Sequence, residues 1–152
     1  TELDDLLHAV ETDMTLFYRR LAEVPIGLAA AELADDELLA PLRPAFYVED
    51  GDSGRHLLPW LHRYVDRVRR DRQDPAARRA RMNRCNPKYV ARNYLAQLAI
   101  DALEQGDASV IERLLAVLQR PYDEQPENAD LAARRPEWAR HKAGCSALSC
   151  SS

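Results

Sequence analysis

Glycine is scarce in this sequence, with five residues among 152. The five form no Gly-x-Gly-x-x-Gly pattern, and none of them precedes a Lys-Ser or Lys-Thr pair. Loops that hold nucleotide phosphates need such glycines, because the backbone must approach the phosphates closely. The sequence therefore contains no phosphate-binding loop of either kind.

Long apolar runs and a disulfide framework are missing as well. No apolar run approaches the ~20 residues that cross a bilayer, and the N-terminus lacks the basic-then-apolar pattern of a secretory signal. The three cysteines are Cys85, Cys145 and Cys150, an odd count that argues against a disulfide-stapled secreted domain. We expect a soluble, cytoplasmic protein of bacterial type without a membrane partner.

The composition is that of a helical protein, because leucine, alanine, arginine and glutamate dominate and β-branched residues are few. Apolar residues recur with the helical period from Glu2 to Val24, which predicts one continuous helix. We predict an all-α fold with about six helices, as a single helical domain over 1–142 followed by a flexible Ser/Cys tail over 143–152. The other predicted helices lie near 35–42, 57–68, 74–82, 86–105 and 109–118.

The segment that begins with Asn86-Pro87 is predicted to have a structural role. Asparagine can cap a helix and proline fits the first helical position, so the pair predicts a helix start. Tyr89 and Tyr94 would then lie on the buried face of this helix and pack. We predict structural roles for these four residues and for Trp138, which would anchor a last short turn. Ser109-Val-Ile-Glu112 has the pattern of a capping box for the next helix.

Histidines and acidic clusters offer no metal or catalytic site in the sequence. His56 and His62 are six residues apart and would not share a helix face. The acidic residues between Asp123 and Asp130 match no calcium loop. We assign no catalytic, cofactor-binding or metal-binding residue to this chain.

A basic segment runs from Arg63 to Arg84, with nine arginines against three aspartates. The whole chain carries a formal charge of −4, so the segment stands out. A basic stripe can bind nucleic acid, but Tyr64 is the one aromatic within it and no docking motif surrounds it. The segment could equally face an acidic surface of the same protein. We do not expect nucleic acid as a partner.

Three ordered stretches resemble the selenoprotein O family. The first is Met82-Asn83 with Asn86-Pro-Lys-Tyr-Val90 and Arg92-Asn-Tyr-Leu-Ala96. The second is Arg120-Pro-Tyr-Asp-Glu-Gln-Pro126, and the third is Pro136-Glu-Trp-Ala139 followed by Ser149-Cys-Ser-Ser152. The resemblance covers nearly the whole chain, which is similar to the C-terminal region of family members. Cys85 departs from the family pattern.

The resemblance implies a C-terminal helical region that packs against a protein-kinase-like core. Members of the family transfer AMP from ATP to hydroxyl side chains of other proteins, with Mg or Mn. That chemistry needs a lysine on the phosphates, a metal-binding aspartate and asparagine, and a glycine-rich loop. None of these functional positions of the family matches a residue of this chain. The resemblance therefore implies that the kinase-like domain of the same polypeptide is a partner, and that protein substrates bind the full-length enzyme.

One functional position carries over from the resemblance. Cys150 stands two residues from the end, where animal members of the family have selenocysteine, which implies a redox role. Cys145 is an alternative partner thiol. Two functions therefore remain open: a structural and regulatory module of a protein adenylyltransferase, and a stand-alone helical interaction or nucleic-acid-binding domain that uses Arg63 to Arg84.

Overall fold

The computed structural model describes residues 1–48, 52, 54–142 and 144–145. Within these ranges the chain forms α-helices and short 3-10 turns without a strand, which confirms the all-α fold class. None of these helices is long and apolar enough to cross a membrane. The α-helices are α1 (Glu2–Ala9), α2 (Met14–Leu21), α3 (Asp35–Leu39), α4 (Leu58–Arg70), α5 (Pro75–Cys85), α6 (Asn93–Glu104) and α7 (Ser109–Leu118). The 3-10 turns are Ala30–Glu32, Arg43–Ala45, Arg55–Leu57, Pro126–Ala132 and Glu137–Arg140.

The chain divides into two compact units, residues 1–86 and residues 87–152. The first unit contains α1 to α5 and the second contains α6 and α7. The prediction of one helical domain over 1–142 with a tail over 143–152 stays a prediction, as does packing against a protein-kinase-like core.

The prediction of one continuous helix from Glu2 to Val24 is wrong, because the chain breaks between α1 and α2. Asp13 is buried and begins α2, where its carboxylate accepts a hydrogen bond from the backbone N–H of Leu16 at 3.0 Å. The backbone N–H of Asp13 donates to Ala45 O at 2.7 Å, and that of Tyr47 donates to Glu11 O at 3.1 Å. Pairing with residues 45–47 therefore takes the place of helical bonds.

The core of the first unit lies where α2, α3 and α4 bring their apolar faces together. Gly54 closes against this core with φ of 87°, and a Cβ there would lie 2.6 Å from Phe46 Cε2. A side chain at this position would displace the Phe46 ring, so the glycine is required by packing and by φ. The fully buried large side chains of this core are Phe17, Leu38, Leu39, Leu42, Phe46, Leu57, Leu61 and Val65.

The helices predicted near 35–42 and 57–68 are confirmed as α3 and α4, and Pro59 lies in the first turn of α4, where no backbone donor is lost. The helix predicted near 74–82 is confirmed as α5, and Asp74 caps it, because its carboxylate accepts from Ala77 N–H at 2.8 Å. Pro75 occupies the first helical position, where no backbone donor is lost. The helix extends to Cys85, three residues beyond the predicted end.

The predicted helix start at Asn86-Pro87 is wrong. Asn86 instead follows the last residue of α5, with φ of −111° and ψ of 109°, and its side-chain amide donates to Met82 O at 3.0 Å. A residue before proline is driven towards extended backbone, which stops α5 at this point. The next helix, α6, begins at Asn93.

The predicted capping box at Ser109 is also wrong. Ser109 is the first residue of α7, and its backbone N–H donates to the carboxylate of Asp107 at 2.9 Å. Hydrogen bonds from the side chain and then the backbone of Ser109 hold the pKa of Asp107 below its usual value, because they favour the charged carboxylate. The capping function therefore belongs to the aspartate two residues earlier.

Candidate functional site

The segment Pro87–Val90 is the first part of the candidate site, which lies in the second unit. Its backbone is not helical, because Lys88 N–H and Tyr89 N–H both donate to the carbonyl of Pro121, at 2.8 Å and 3.1 Å. Pro121 follows the end of α7. A carbonyl with two lone pairs accepts both bonds, so a single residue fixes the path of this segment.

The loop Arg120–Pro126 is the second part, and Gln125 holds it together. The Gln125 side chain is buried, and its Nε2 donates to the carbonyls of Val117 at 3.2 Å and Arg120 at 2.9 Å. It thus satisfies carbonyls that the end of α7 leaves without helical partners. The Gln125 carbonyl in turn accepts from Tyr89 Oη at 2.8 Å.

An ion pair adds to the contact between these two segments. Lys88 Nζ lies 2.5 Å from a carboxylate oxygen of Glu124 and 5.7 Å from the centre of the Tyr89 ring. Tyr89 is 2% exposed and packs with Val117 and Ala132. Within the second unit, residues 87–90 and the loop Arg120–Pro126 therefore form one continuous packed structure.

The stretch Pro136–Ala139 is the third part and packs around Tyr94. Ala139 is fully buried in a cluster with Tyr94, Leu95 and Leu114. Tyr94 Oη donates to the carbonyl of Ala133 at 3.3 Å. The Trp138 ring meets the Tyr94 ring edge to face at 6.2 Å, although Trp138 itself is 48% exposed.

The residues that follow Trp138 are held against α6. Lys142 pairs with Asp101, and this pair holds the pKa of Lys142 above its usual value. The pKa of Asp101 is held below its usual value by the same pair and by a hydrogen bond from Gln97. Gly144 has φ of 85°, and a Cβ there would lie 2.1 Å from Gln97 Oε1. Cys145 is buried beside Tyr94 and Leu95. Cys150 lies outside the described residues.

The polar groups of this site are used for bonds within the unit. Tyr89, Tyr94 and Gln125 all direct their polar atoms at backbone carbonyls of the second unit. Within the described residues, no group of three or more His, Cys, Asp or Glu side chains could hold a metal ion. The arrangement is therefore suited to fixing the three segments together. The structural roles predicted for Asn86, Pro87, Tyr89, Tyr94 and Trp138 stay predictions.

The structure divides the basic segment of the first unit into internal and external arginines. Arg78 is 3% exposed and donates to the carbonyls of Leu21 at 3.2 Å and Ala22 at 3.3 Å, and also to Tyr64 Oη. Arg19, on α2, donates to the carbonyls of Asn83 at 2.8 Å and Asn86 at 2.9 Å. A buried arginine of α5 therefore binds carbonyls at the C-terminal end of α2, and a buried arginine of α2 binds carbonyls at the C-terminal end of α5. A positive charge is favourable there because of the helix dipole.

Sequence reasoning missed both buried arginines. Arg19 carried no signal, because its bonds reach carbonyls that lie 64 and 67 residues away. Arg78 carried a weak one, because it lies four residues before the half-buried Met82 on the same helix face.

Several external arginines of the basic segment pair with residues of the same unit. Arg63 pairs with Glu2, Arg67 with Asp71, and Arg79 with Glu23 at 3.5 Å. These pairs support the alternative that the segment faces acidic groups of its own protein. Within the described residues, no ion pair involves the remaining exposed arginines, which are Arg69, Arg70, Arg72, Arg81 and Arg84.

We predict that the basic segment does not bind nucleic acid at micromolar concentration. The two aromatic rings beside it, Trp60 and Tyr64, stack on each other at 5.0 Å, and Tyr64 also contacts Arg78, so neither ring offers a free stacking platform. Fluorescence anisotropy with labelled single-stranded RNA and duplex DNA at two salt concentrations measures this. Binding that falls steeply with salt, and that Arg69→Ala with Arg70→Ala removes, would overturn the prediction.

No sequence-family profile matches the chain. Individual curated proteins match it strongly. It is 51% identical over its whole length to the protein nucleotidyltransferase YdiU of Nitrosospira multiformis. Over 97% of its length it is 52% identical to the YdiU protein of Rhodopirellula baltica and 51% identical to that of an Azoarcus species. The chain spans only 28–30% of the length of these three relatives.

Proposed function

The chain belongs to the selenoprotein O family, whose members include the YdiU protein nucleotidyltransferases, and on this premise we propose that it is the C-terminal helical module of such an enzyme. The whole enzyme would transfer AMP from ATP to Ser, Thr or Tyr hydroxyls of other proteins. The single observation that carries the proposal is the match of the entire chain, at about half identity, to under a third of each relative.

The proposed role of the module is structural and regulatory. Its three characteristic segments bind one another through Pro121, Gln125 and Tyr94, which supports a scaffold. ATP and Mg or Mn are proposed as cofactors of the whole enzyme. The described residues do not fit a metal, since they form no cluster of candidate ligands. No step of the transfer is assigned to this chain, and the kinase-like domain of the same polypeptide is its proposed partner.

We predict that the chain alone transfers no AMP when it is incubated with labelled ATP, magnesium and a protein substrate. The reason is that we identify no residue in the chain that would hold the phosphates of ATP. Autoradiography of the protein band measures the transfer, and the full-length Nitrosospira protein, assayed in parallel, serves as the positive control. Strong labelling by the purified chain would show that catalysis is located in this region, contrary to the proposal.

A second proposal concerns the cysteines, and it rests on the resemblance of Ser149-Cys-Ser-Ser152 to the selenoprotein O family. Cys150 would form a reversible disulfide with another thiol. In this step both thiols lose their protons, and two electrons pass to an added disulfide oxidant, which is reduced to two thiols. Cys145 is buried beside Tyr94, so it is the less accessible thiol of the two described cysteines.

We predict the order in which iodoacetamide modifies the cysteines. Cys85 is exposed and should react in the native protein, whereas buried Cys145 should react only after urea unfolds the second unit. Mass spectrometry of the peptides measures both. Pre-treatment with oxidised glutathione should then protect Cys150, and Cys150→Ser should leave only the mixed disulfide that exposed Cys85 forms with glutathione. If Cys150 were modified equally with and without the oxidant, the redox proposal would be wrong.

A further inference from the structure

The exposed side of α6 is unusually apolar for a surface helix. Ala96, Ile100 and Leu103 lie at i, i+4 and i+7 on this helix, and we call these three residues the apolar stripe. All three are exposed, with exposed fractions of 47% for Ile100 and 43% for Leu103. The opposite side of the same helix is buried in the unit through Tyr94, Leu95 and Ala99.

The longest helix, α4, does not share this property. The exposed positions of α4 are mostly charged, among them Arg63, Asp66, Arg67 and Arg70. By contrast, α6 has two charged residues among twelve, Asp101 and Glu104. A surface helix normally carries polar residues on its outer side, and a helix that is apolar all round is normally buried.

The neighbouring helix α7 also carries an exposed apolar side chain. Leu115 is 56% exposed, the largest exposed fraction among the large apolar side chains of the described residues. α7 is also the helix that packs most extensively on α6. Exposed acidic residues occur at the end of α6, in the connection and in the first turn of α7, namely Glu104, Asp107 and Glu112.

We propose that the apolar stripe is covered, in the family's longer polypeptide, by an apolar surface of the part that this chain does not contain. The inference rests on the proposed function and adds to it the face through which the module is attached. The occupant is chosen because the YdiU relatives, at about half identity, carry more than two thirds of their length outside the matched region.

Oxidative footprinting with hydroxyl radicals tests the inference through the side chains themselves. In this chain, Ile100, Leu103 and Leu115 should be oxidised readily. In the full-length Nitrosospira protein, the residues aligned with Ile100 and Leu103 should lose most of that reactivity. Leu28 of the first unit is 50% exposed and lies outside the stripe, so the residue aligned with it is the internal reference.

Substitution provides a second measurement. Ile100→Lys with Leu103→Lys should leave the melting temperature of this chain unchanged, because both side chains already face solvent. The aligned double substitution in the full-length protein should lower its melting temperature, and the Leu28→Lys equivalent should not. Equal oxidation in both proteins would overturn the inference, and so would a dimer of this chain, seen by light scattering, that Leu103→Lys dissociates.

The two proposals fail in different ways. Neither measurement uses enzymatic activity. A full-length protein that transfers AMP yet leaves the stripe oxidised would overturn this inference alone. A protected stripe in a protein without transferase activity would overturn the proposed function alone.

Discussion

Arg78→Ala should lower the free energy of unfolding of the first unit by about 3 kcal/mol, because two carbonyls lose a charged donor worth ~1.5 kcal/mol each or more. The carbonyls are those of Leu21 and Ala22, at the end of α2. Arg78 is 3% exposed, so water does not readily replace the lost donor. Arg78→Lys keeps the charge but loses the planar guanidinium, so its free energy of unfolding should lie between those of the unchanged protein and of Arg78→Ala.

Urea unfolding measures this effect in each unit separately, because each unit contains one tryptophan. Trp60 stacks on Tyr64, which Arg78 contacts, and it reports on the first unit when Trp138 is replaced by phenylalanine. Arg79→Ala is the matched control, since Arg79 is an exposed arginine on the same helix, in a pair with Glu23 worth ~0.2–1 kcal/mol. If Arg78→Ala cost no more than Arg79→Ala, the buried bonds would not stabilise the unit.

Tyr89→Ala should destabilise the second unit by ~3–5 kcal/mol, the usual range for removing a large buried aromatic ring. Tyr89 is 2% exposed, and its hydroxyl donates to the Gln125 carbonyl at 2.8 Å. Tyr89→Phe retains the ring and removes only this bond, which should cost about 1 kcal/mol. The difference between the two variants therefore separates packing from hydrogen bonding.

Trp138 fluorescence, with Trp60 replaced by phenylalanine, reports on this unit. Tyr122→Ala is the control, because Tyr122 is 45% exposed in the same loop region and should cost about 1 kcal/mol or less. In a full-length enzyme, AMP transfer by Tyr89→Phe should fall only as far as its folded fraction falls. A fully folded Tyr89→Phe enzyme without activity would mean that this hydroxyl takes part in function, and the structural reading would be wrong.

The sequence predicted those features that depend on neighbouring residues. The start of α5 at Asp74-Pro75 and the place of Pro59 within α4 follow from local preferences for caps and for proline. The fold class followed from composition and period. These preferences act within one turn of helix, so they are visible in a few adjacent letters.

Features that depend on distant segments were not predicted. The apolar period runs unbroken from Glu2 to Val24, yet the chain breaks there because residues 45–47 supply other partners for Glu11 and Asp13. Asn86-Pro87 fitted a helix start, but the N–H groups that follow it bond to Pro121, more than thirty residues away. Local preference permitted both outcomes, and tertiary hydrogen bonds decided between them.

The candidate site was anticipated in its parts but not in its arrangement. The three segments were visible as a resemblance, and their contact with one another was not. Gln125 lay within the second segment and was not singled out, although it links α7 to Tyr89. A buried glutamine has no distinguishing sequence pattern, because glutamine is mostly a surface residue.

The exchange of arginines between α2 and α5 also affects events during synthesis of the chain. Arg78 lies 56 residues after Ala22, whose carbonyl it binds, and at roughly 5–20 residues per second this separation corresponds to about 3 to 11 seconds of translation. Until Arg78 is made, the end of α2 lacks its charged donor. Slower translation therefore prolongs the period in which the nascent α2 is open to proteases and chaperones.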